Sequence, residues 1–418
     1  VQNSQRLRYA AAILVGRAVK RAARMRKSDG GTAVPGLTVN RIAPGLLTHA
    51  LGSFPRGLVI VSGSSGKSTT TKMLTSLLEA HGIRVFTNPS TANIAQGLMS
   101  AVLDRIDLSG RVNADLAVLE MDEGHGAKIA DRLSPHTVVL TNVMTDQIDR
   151  FSDPRKLTEM LRVIAARAGT RVVSNADDAN LEHILGTLSD VELVRYGVTD
   201  EILAAAPHGL GYLSTSAERI AGGIRVLESG DRSAVIEIDG EPLEIGLPAR
   251  GIHYAVDAAA ALGAATALLG RTFDRSIAQR VFAAMPPVFA RGEVVTVQGK
   301  PVEFVLVQNP SSFQLNVDEL PKELDQVMVA MGSDVRDPSY LWPVDPSSLG
   351  TVKIVSGSIA EEVALHLTYR DVDVERVEPD LGTALDDFLA LPDPARGIKT
   401  IVFSADSMRR TRTHWSLA

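Results

Sequence analysis

The stretch Val61-Ser-Gly-Ser-Ser-Gly-Lys-Ser-Thr-Thr-Thr71 decides the fold. It follows an apolar run, Gly57-Leu-Val-Ile-Val61, and precedes a helical pattern from Lys72 to His81. Strand, glycine-rich turn, Lys-Ser and helix, in that order, form the context of a phosphate-binding loop. Glycines let backbone N–H groups curl around phosphate oxygens, and the helix N-terminus adds a favourable dipole. The loop is Gly63, Ser64, Ser65 and Gly66. Lys67 is then placed to reach the β/γ-phosphates, and the Ser68 or Thr69 hydroxyl to hold Mg²⁺. The standard eight-residue form wants glycine where Val61 stands, so the match is to the shorter G-x-x-G-K-S-T.

The rest of the composition narrows the class. A length of 418 residues predicts two domains, or three. Apolar content of 45% with 22% charged residues excludes a disordered or fibrous chain. A net charge of −6 gives no general nucleic-acid signal. The absence of cysteine excludes disulfides, thiolate metal ligands and a cysteine nucleophile from this chain. No apolar run approaches the ~20 residues of a spanning helix. Residues 6–27 stand apart: Arg6, Arg8, Arg17, Lys20 and Arg21 lie among Leu7, Ile13, Leu14 and Val15, with no acid. The expectation is an amphipathic helix packed on the nucleotide domain; contact with anionic lipid headgroups is the alternative.

Strands read at 115–120, 136–141 and 170–174 alternate with helical stretches at 93–105, 124–133 and 155–168. This argues an α/β fold with a parallel sheet covered on both faces. The region 190–250 reads as a small antiparallel element, and Ala255–Leu269 as a long alanine-rich helix. Pro286-Pro287 and the residues to Gly292 read as a linker. The expected domains are 1–289 and 290–418, the second again alternating strands, at 303–307, 326–331, 352–356 and 400–404, with helices.

Four further motifs fall where strands end, the place where open α/β sheets bind ligands. Residues 118–126 hold Glu120, Asp122 and Glu123, carboxylates of the kind that hold Mg²⁺ opposite a phosphate loop. Residues 137–151 hold Asn142, Asp146 and Asp149; residues 172–178 hold Asn175, Asp177 and Asp178; residues 251–265 open a helix with His253. Each alone also reads as a cap or turn.

In this order, the motifs resemble those of the Mur ligase superfamily. Its G-T-x-G-K-T/S-T loop is similar to Gly63–Thr69, and its strand-end magnesium glutamate to Glu120, with Glu123 as rival. Its T-N-x-x-x-D element is similar to Thr141–Asp149, its N-x-D-D to Asn175–Asp178, and its linker G-R-x-E to Ala290-Arg291-Gly292-Glu293. The resemblance implies a central P-loop ATPase domain followed by a Rossmann-like C-terminal domain. It implies ATP and Mg²⁺ as cofactors, with Asn142, Asn175, His253 and Arg291 on the nucleotide. It also implies amide-bond formation through an acyl phosphate.

Three departures point within the family. Only 62 residues precede Gly63, which leads us to expect no UDP-linked substrate. The D-Y-A-H-N-P motif of amino-acid-adding ligases is replaced by Val307-Gln-Asn-Pro-Ser-Ser-Phe-Gln314. The stretch 331–345, with Asp337, Ser339, Tyr340, Trp342 and Asp345, is similar to the D-x-S-W-x-W-D-x-D segment of the MurT subfamily. Those proteins are synthetase subunits of lipid II isoglutaminyl synthase. The resemblance implies a GatD-like glutaminase partner supplying cysteine and histidine, with Asp337 completing its triad and Asp334 and Asp345 next in line. It implies lipid II as substrate, no nucleic acid, and a cytoplasmic chain that works at the inner membrane face. The four-cysteine zinc ribbon of many relatives is absent. A Mur- or folylpolyglutamate-synthase-like ligase that adds an amino acid is the alternative reading.

Overall fold

The computed structural model describes residues 2–26, 33–89, 95–144, 154–216, 223–286, 290–321, 324–336 and 338–417. Three helices come first: α1 Gln2–Arg26, α2 Ala33–Ile42 and α3 Leu46–Leu51. A nine-stranded sheet follows, from β1 Leu58–Ser62, β2 Val85–Thr87, β3 Leu116–Glu120, β4 Thr137–Leu140 and β5 Arg171–Asn175 to β6 Glu192–Val198, β7 Ile224–Ser229, β8 Ser233–Ile238 and β9 Glu241–Gly246. Its order is β2-β3-β1-β4-β5-β6-β7-β8-β9, parallel as far as β7 and antiparallel beyond. Between the strands run α4 Lys67–Ala80, α5 Ala95–Arg105, α6 Glu123–Leu133, α7 Pro154–Ala165, α8 Ala179–Leu185 and α9 Asp200–Ala205; α10 Ile252–Leu269 and α11 Arg275–Ala284 follow the sheet.

Alternate residues of each central strand enter different cores, which is why the strands read as unbroken apolar runs. Val59 and Val61 of β1 pack on the face with α4 and α10. Leu58 and Ile60 pack on the face with α1, α2 and α5. β1 sits between β3 and β4, so the chain leaves it first to one side and then to the other. That reversal opens a crevice at the carboxyl ends of the strands, at the loop 63–66.

The small antiparallel element expected at 190–250 is present as β7, β8 and β9, and it is continuous with the main sheet. β6 and β7 add to the main sheet in parallel, and β8 and β9 close its edge. Asp177 helps to fix this extension by accepting the Val198 N–H at 2.8 Å. The alanine-rich helix begins at Ile252, three residues earlier than expected. Ile252–Thr272 is the stretch among the described residues long and apolar enough to cross a membrane, and most of it is buried as a core element.

The second domain has a six-stranded sheet in the order β10-β11-β17-β12-β14-β16. Its strands are β10 Arg291–Val297, β11 Lys300–Leu306, β12 Val327–Ala330, β13 Thr351–Val352, β14 Ile354–Ser356, β15 Asp373–Val374, β16 Val377–Glu378 and β17 Lys399–Phe403, with β13 and β15 paired apart. Its helices are α12 Pro310–Glu319, α13 Ala360–Tyr369, α14 Leu381–Ala390 and α15 Ala405–His414. β10, not foreseen, forms an antiparallel hairpin with β11. α12 ties this domain to the first near the crevice: the Ser311 hydroxyl donates to the Gly211 carbonyl at 3.1 Å, and Asp318 meets His208 Nδ1 at 2.9 Å.

Candidate active site

β1 is buried along its whole length and delivers the chain to Gly63. Gly63 has φ +136°, and a Cβ there would lie 2.2 Å from Thr141 Oγ1. Gly66 has φ +79°, and a Cβ there would lie 2.1 Å from Asp257 Oδ1. Both positions therefore require glycine on two counts, conformation and close approach. Asn142, at the end of β4, braces the loop from below. Its carbonyl accepts the Ser64 N–H at 2.9 Å and its Oδ1 accepts the Ser65 N–H at 2.9 Å. The Ser64 hydroxyl in turn accepts the Met144 N–H at 3.0 Å.

α4 starts at Lys67, so Lys67, Ser68 and Thr69 form its first turn, beside N–H groups with no helical partner. Lys67 Nζ donates to the Gly63 and Ser64 carbonyls and to Glu123 Oε1, the last at 2.8 Å. The Ser68 hydroxyl donates to Glu120 Oε2 at 2.8 Å. The two glutamates, rivals in the sequence, are thus held differently: Glu120 sits beside the hydroxyl, Glu123 beside the ammonium. Both are buried. Asn88 fixes the end of β3 by exchanging two 3.0 Å hydrogen bonds with the Glu120 backbone. Asp122 caps α6, accepting from His125 N at 3.2 Å.

Beside the loop a pocket opens toward the second domain. Ser65, Gly66 and Asn142 form one wall; Leu210, Tyr212, His253 and Asp257 form another; Ser312, Leu315 and Asn316 of α12 close it. His253 lies on the first turn of α10 with its ring 4.3 Å from that of Tyr254. Sequence reasoning had no signal for Leu210, Tyr212 and Asn316, which come from loops and a domain remote in the chain. Asn309 forms a capping box with Ser312, accepting its N–H at 2.7 Å, so Asn309-Pro310 serves here to start α12 at the pocket rim.

Asn175 lies behind this wall, fully buried. Its amide donates to the Thr141 carbonyl at 3.3 Å and the Tyr212 hydroxyl at 2.8 Å. Asp178 accepts the Val143 N–H and caps α8 through Asn180; burial pushes its carboxyl up to about 6. The side chain of Arg291, and residues Asp146, Asp149 and Asp337, lie outside the described residues. Asp334 is used within the chain, accepting from the Ser404 hydroxyl at 2.6 Å and Asp406 N at 3.1 Å. Asp345 accepts from Ser347 N at 3.1 Å, and that bond holds its carboxyl below the usual range.

Oxygen donors at the first turn of a helix, a lysine over a glycine loop and an adjoining pocket can hold a nucleoside triphosphate and stabilise charge on its terminal phosphoryl group. Residues 61–265 match the Mur ligase middle domain. The chain is 24% identical over 390 residues to the lipid II isoglutaminyl synthase subunit MurT of Streptococcus pneumoniae, covering 83% of this chain and 84% of that one. It is 27% identical over 168 residues to MurT of Staphylococcus aureus, covering 40% of this chain and 37% of that one. In fold it is similar to the MurF ligase of Thermotoga maritima solved with ADP, at a TM-score of 0.67 and 18% identity, covering 91% of this chain and 83% of that one. Residues 61–265 are therefore a Mur ligase middle domain, within a chain that is similar to MurT over most of its length.

Proposed function

We propose that this chain is the synthetase subunit of a lipid II isoglutaminyl synthase. The single observation that carries this reading is the similarity to the streptococcal MurT, which runs through both domains. The substrate is the α-carboxylate of the stem-peptide D-glutamate on lipid II. A carboxylate oxygen attacks the γ-phosphorus of ATP and ADP leaves. Ammonia then attacks the acyl carbon, and inorganic phosphate leaves with that oxygen. The products are the amide, ADP and phosphate.

With the Ser64 and Ser65 N–H groups held by Asn142, the N–H groups of Gly66 and the first turn of α4 cradle the phosphates. Lys67 turns from Glu123 toward the transferred phosphoryl group and neutralises its charge. Asn142 keeps the loop in shape, and the pocket with His253 takes the base. Asn175 acts behind it as a brace, and Arg291 acts from the start of the second domain. Ser68 and Glu120 place two hard oxygen donors together, a set that suits Mg²⁺. Such an ion, when bound, neutralises phosphate charge.

Ammonia comes from a second chain, because a glutaminase of this class needs a cysteine nucleophile and this chain has none. The second domain supports such a contact. Trp342 is 67% exposed and Tyr369 80% exposed, and Arg370, next to Tyr369 in the chain, donates to the Trp342 carbonyl. Asp337 orients the partner's histidine. The test is Asp337→Asn in the complex with its glutaminase. Glutamine-dependent amidation should fall by orders of magnitude, as on losing an orienting aspartate elsewhere. Ammonium-dependent amidation should persist. Equal loss in both assays would contradict the assignment.

A further inference from the structure

α1 has two working faces. Its inner face is fastened to the domain. Ala12 and Ile13 are fully buried, and a Cβ on Gly16 would lie 2.4 Å from Val39 and 2.9 Å from Leu103. Lys20 Nζ donates to the Ser100 carbonyl at 2.7 Å, and Arg8 Nε to the Ile42 carbonyl at 2.6 Å. This much confirms the packed helix expected from the sequence.

The outer face is not what a packed helix needs. Leu7, Leu14 and Met25 are 72%, 56% and 80% exposed. Their spacings of seven and eleven residues bring them onto one line of the helix. Exposed Ala11 and Ala18 continue that line, so it carries no polar side chain at those positions. Exposed Arg6 and Arg21 run along one flank, while Arg17 turns inward to donate to the Leu103 and Ile106 carbonyls. No acid occurs from residue 2 to 26, although the whole chain carries −6. Positive charge is thus concentrated on an element that also presents an apolar ridge. A nucleic acid would answer the arginines and leave the ridge in water. An anionic bilayer answers both, with the ridge entering the acyl boundary and the guanidiniums meeting the headgroups.

We propose that the outer face of α1 is a docking surface for an anionic lipid bilayer, on which the helix lies in the interfacial plane. The inference stands on α1 alone and does not rest on the function proposed above.

The test is flotation of the full chain with vesicles of phosphatidylcholine and with vesicles that are roughly one third phosphatidylglycerol. The wild type should bind the anionic vesicles, and more weakly as salt rises. Arg6→Gln/Arg21→Gln should lose about fivefold per arginine at low salt. Leu7→Gln/Leu14→Gln/Met25→Gln should lose at least about tenfold at every salt concentration, since the apolar contribution is not screened. All five positions are exposed, so thermal unfolding should match wild type, and amidation of a water-soluble substrate should be unchanged. Absence of binding, equal binding to neutral vesicles, or binding indifferent to the ridge variant would overturn the proposal. Failure of the amidation assay alone would leave it standing and count against the proposed function instead.

Discussion

The loop at 63–66 and the outer surface of the second domain around Trp342 are built in opposite ways. At the loop, polar groups are held within the chain: Ser64 and Ser65 by Asn142, Lys67 by Glu123, Ser68 by Glu120. Around Trp342 large side chains stand in solvent, over a backbone held by Arg370 at the Trp342 carbonyl and by the Ser339 carbonyl at the Trp342 N–H. A site that completes its chemistry within one chain is wired in advance, which limits reorganisation when charge develops. A site that waits for a second chain leaves its anchors outside, because exposed aromatics are the residues that carry interface energy.

The largest expected effect breaks the first half of this contrast. Lys67→Ala should lower ATP-driven amidation about a thousandfold. It also strands Glu123, so stability should fall by about 3 kcal/mol. The double variant Lys67→Ala/Glu123→Gln should regain most of that stability and none of the activity. Turnover near wild type in the single variant would remove Lys67 from the chemistry.

The next effect concerns the buried brace. Asp178 has its folded pKa raised by burial to about 6, above the ordinary 3.8. Between these values the native state holds a proton that the unfolded chain has released. The stability due to this group is therefore complete below about pH 3.8 and lost as pH rises through about 6. The loss has an upper bound of about 3 kcal/mol. Asparagine at 178 mimics the neutral form, so urea unfolding should show wild type losing stability relative to Asp178→Asn between pH 4 and 7. Parallel curves would contradict the shift.

A smaller effect tests the other half. Trp342→Ala and Tyr369→Ala should each weaken binding of the glutaminase by about tenfold to thirtyfold. Ammonium-dependent amidation should not change. Titration calorimetry against the partner checks this, and unchanged affinity would move the interface elsewhere.

The smallest effect belongs to neither region. The hairpin of β10 and β11 turns on Gln298 and Gly299, with φ +49° and +82°. Positive φ at both positions is what a type I′ turn requires, and asparagine suits the first better than glutamine. Gln298→Asn should raise stability by about 0.5 kcal/mol, read by thermal unfolding, with both activities intact.

The sheet's centre was readable because β1, β3 and β4 are buried on both faces and so appear as plain apolar runs. The loop was readable because glycine, lysine and serine there answer to backbone geometry. β10 was missed although Gln298-Gly299 marked the turn. β2, three residues long, is too short to carry a pattern. The union of β6 and β7 with the main sheet depends on contacts such as Asp177 to Val198, which no local window contains. The pairing of Lys67 with Glu123 likewise joins residues 56 apart in the chain. In the sequence it was indistinguishable from a second metal-binding carboxylate.

In the proposed reaction this chain activates a carboxylate with ATP and takes its nitrogen from outside itself. The direct measurement is product analysis of the isolated chain with ATP, Mg²⁺ and lipid-linked stem peptide, given ammonium, glutamine or free amino acids in parallel. An amidated product is expected with ammonium alone, and glutamine should serve as a source only once the glutaminase is added. Glutamine-dependent amidation by the isolated chain, or transfer of a whole amino acid, would contradict it.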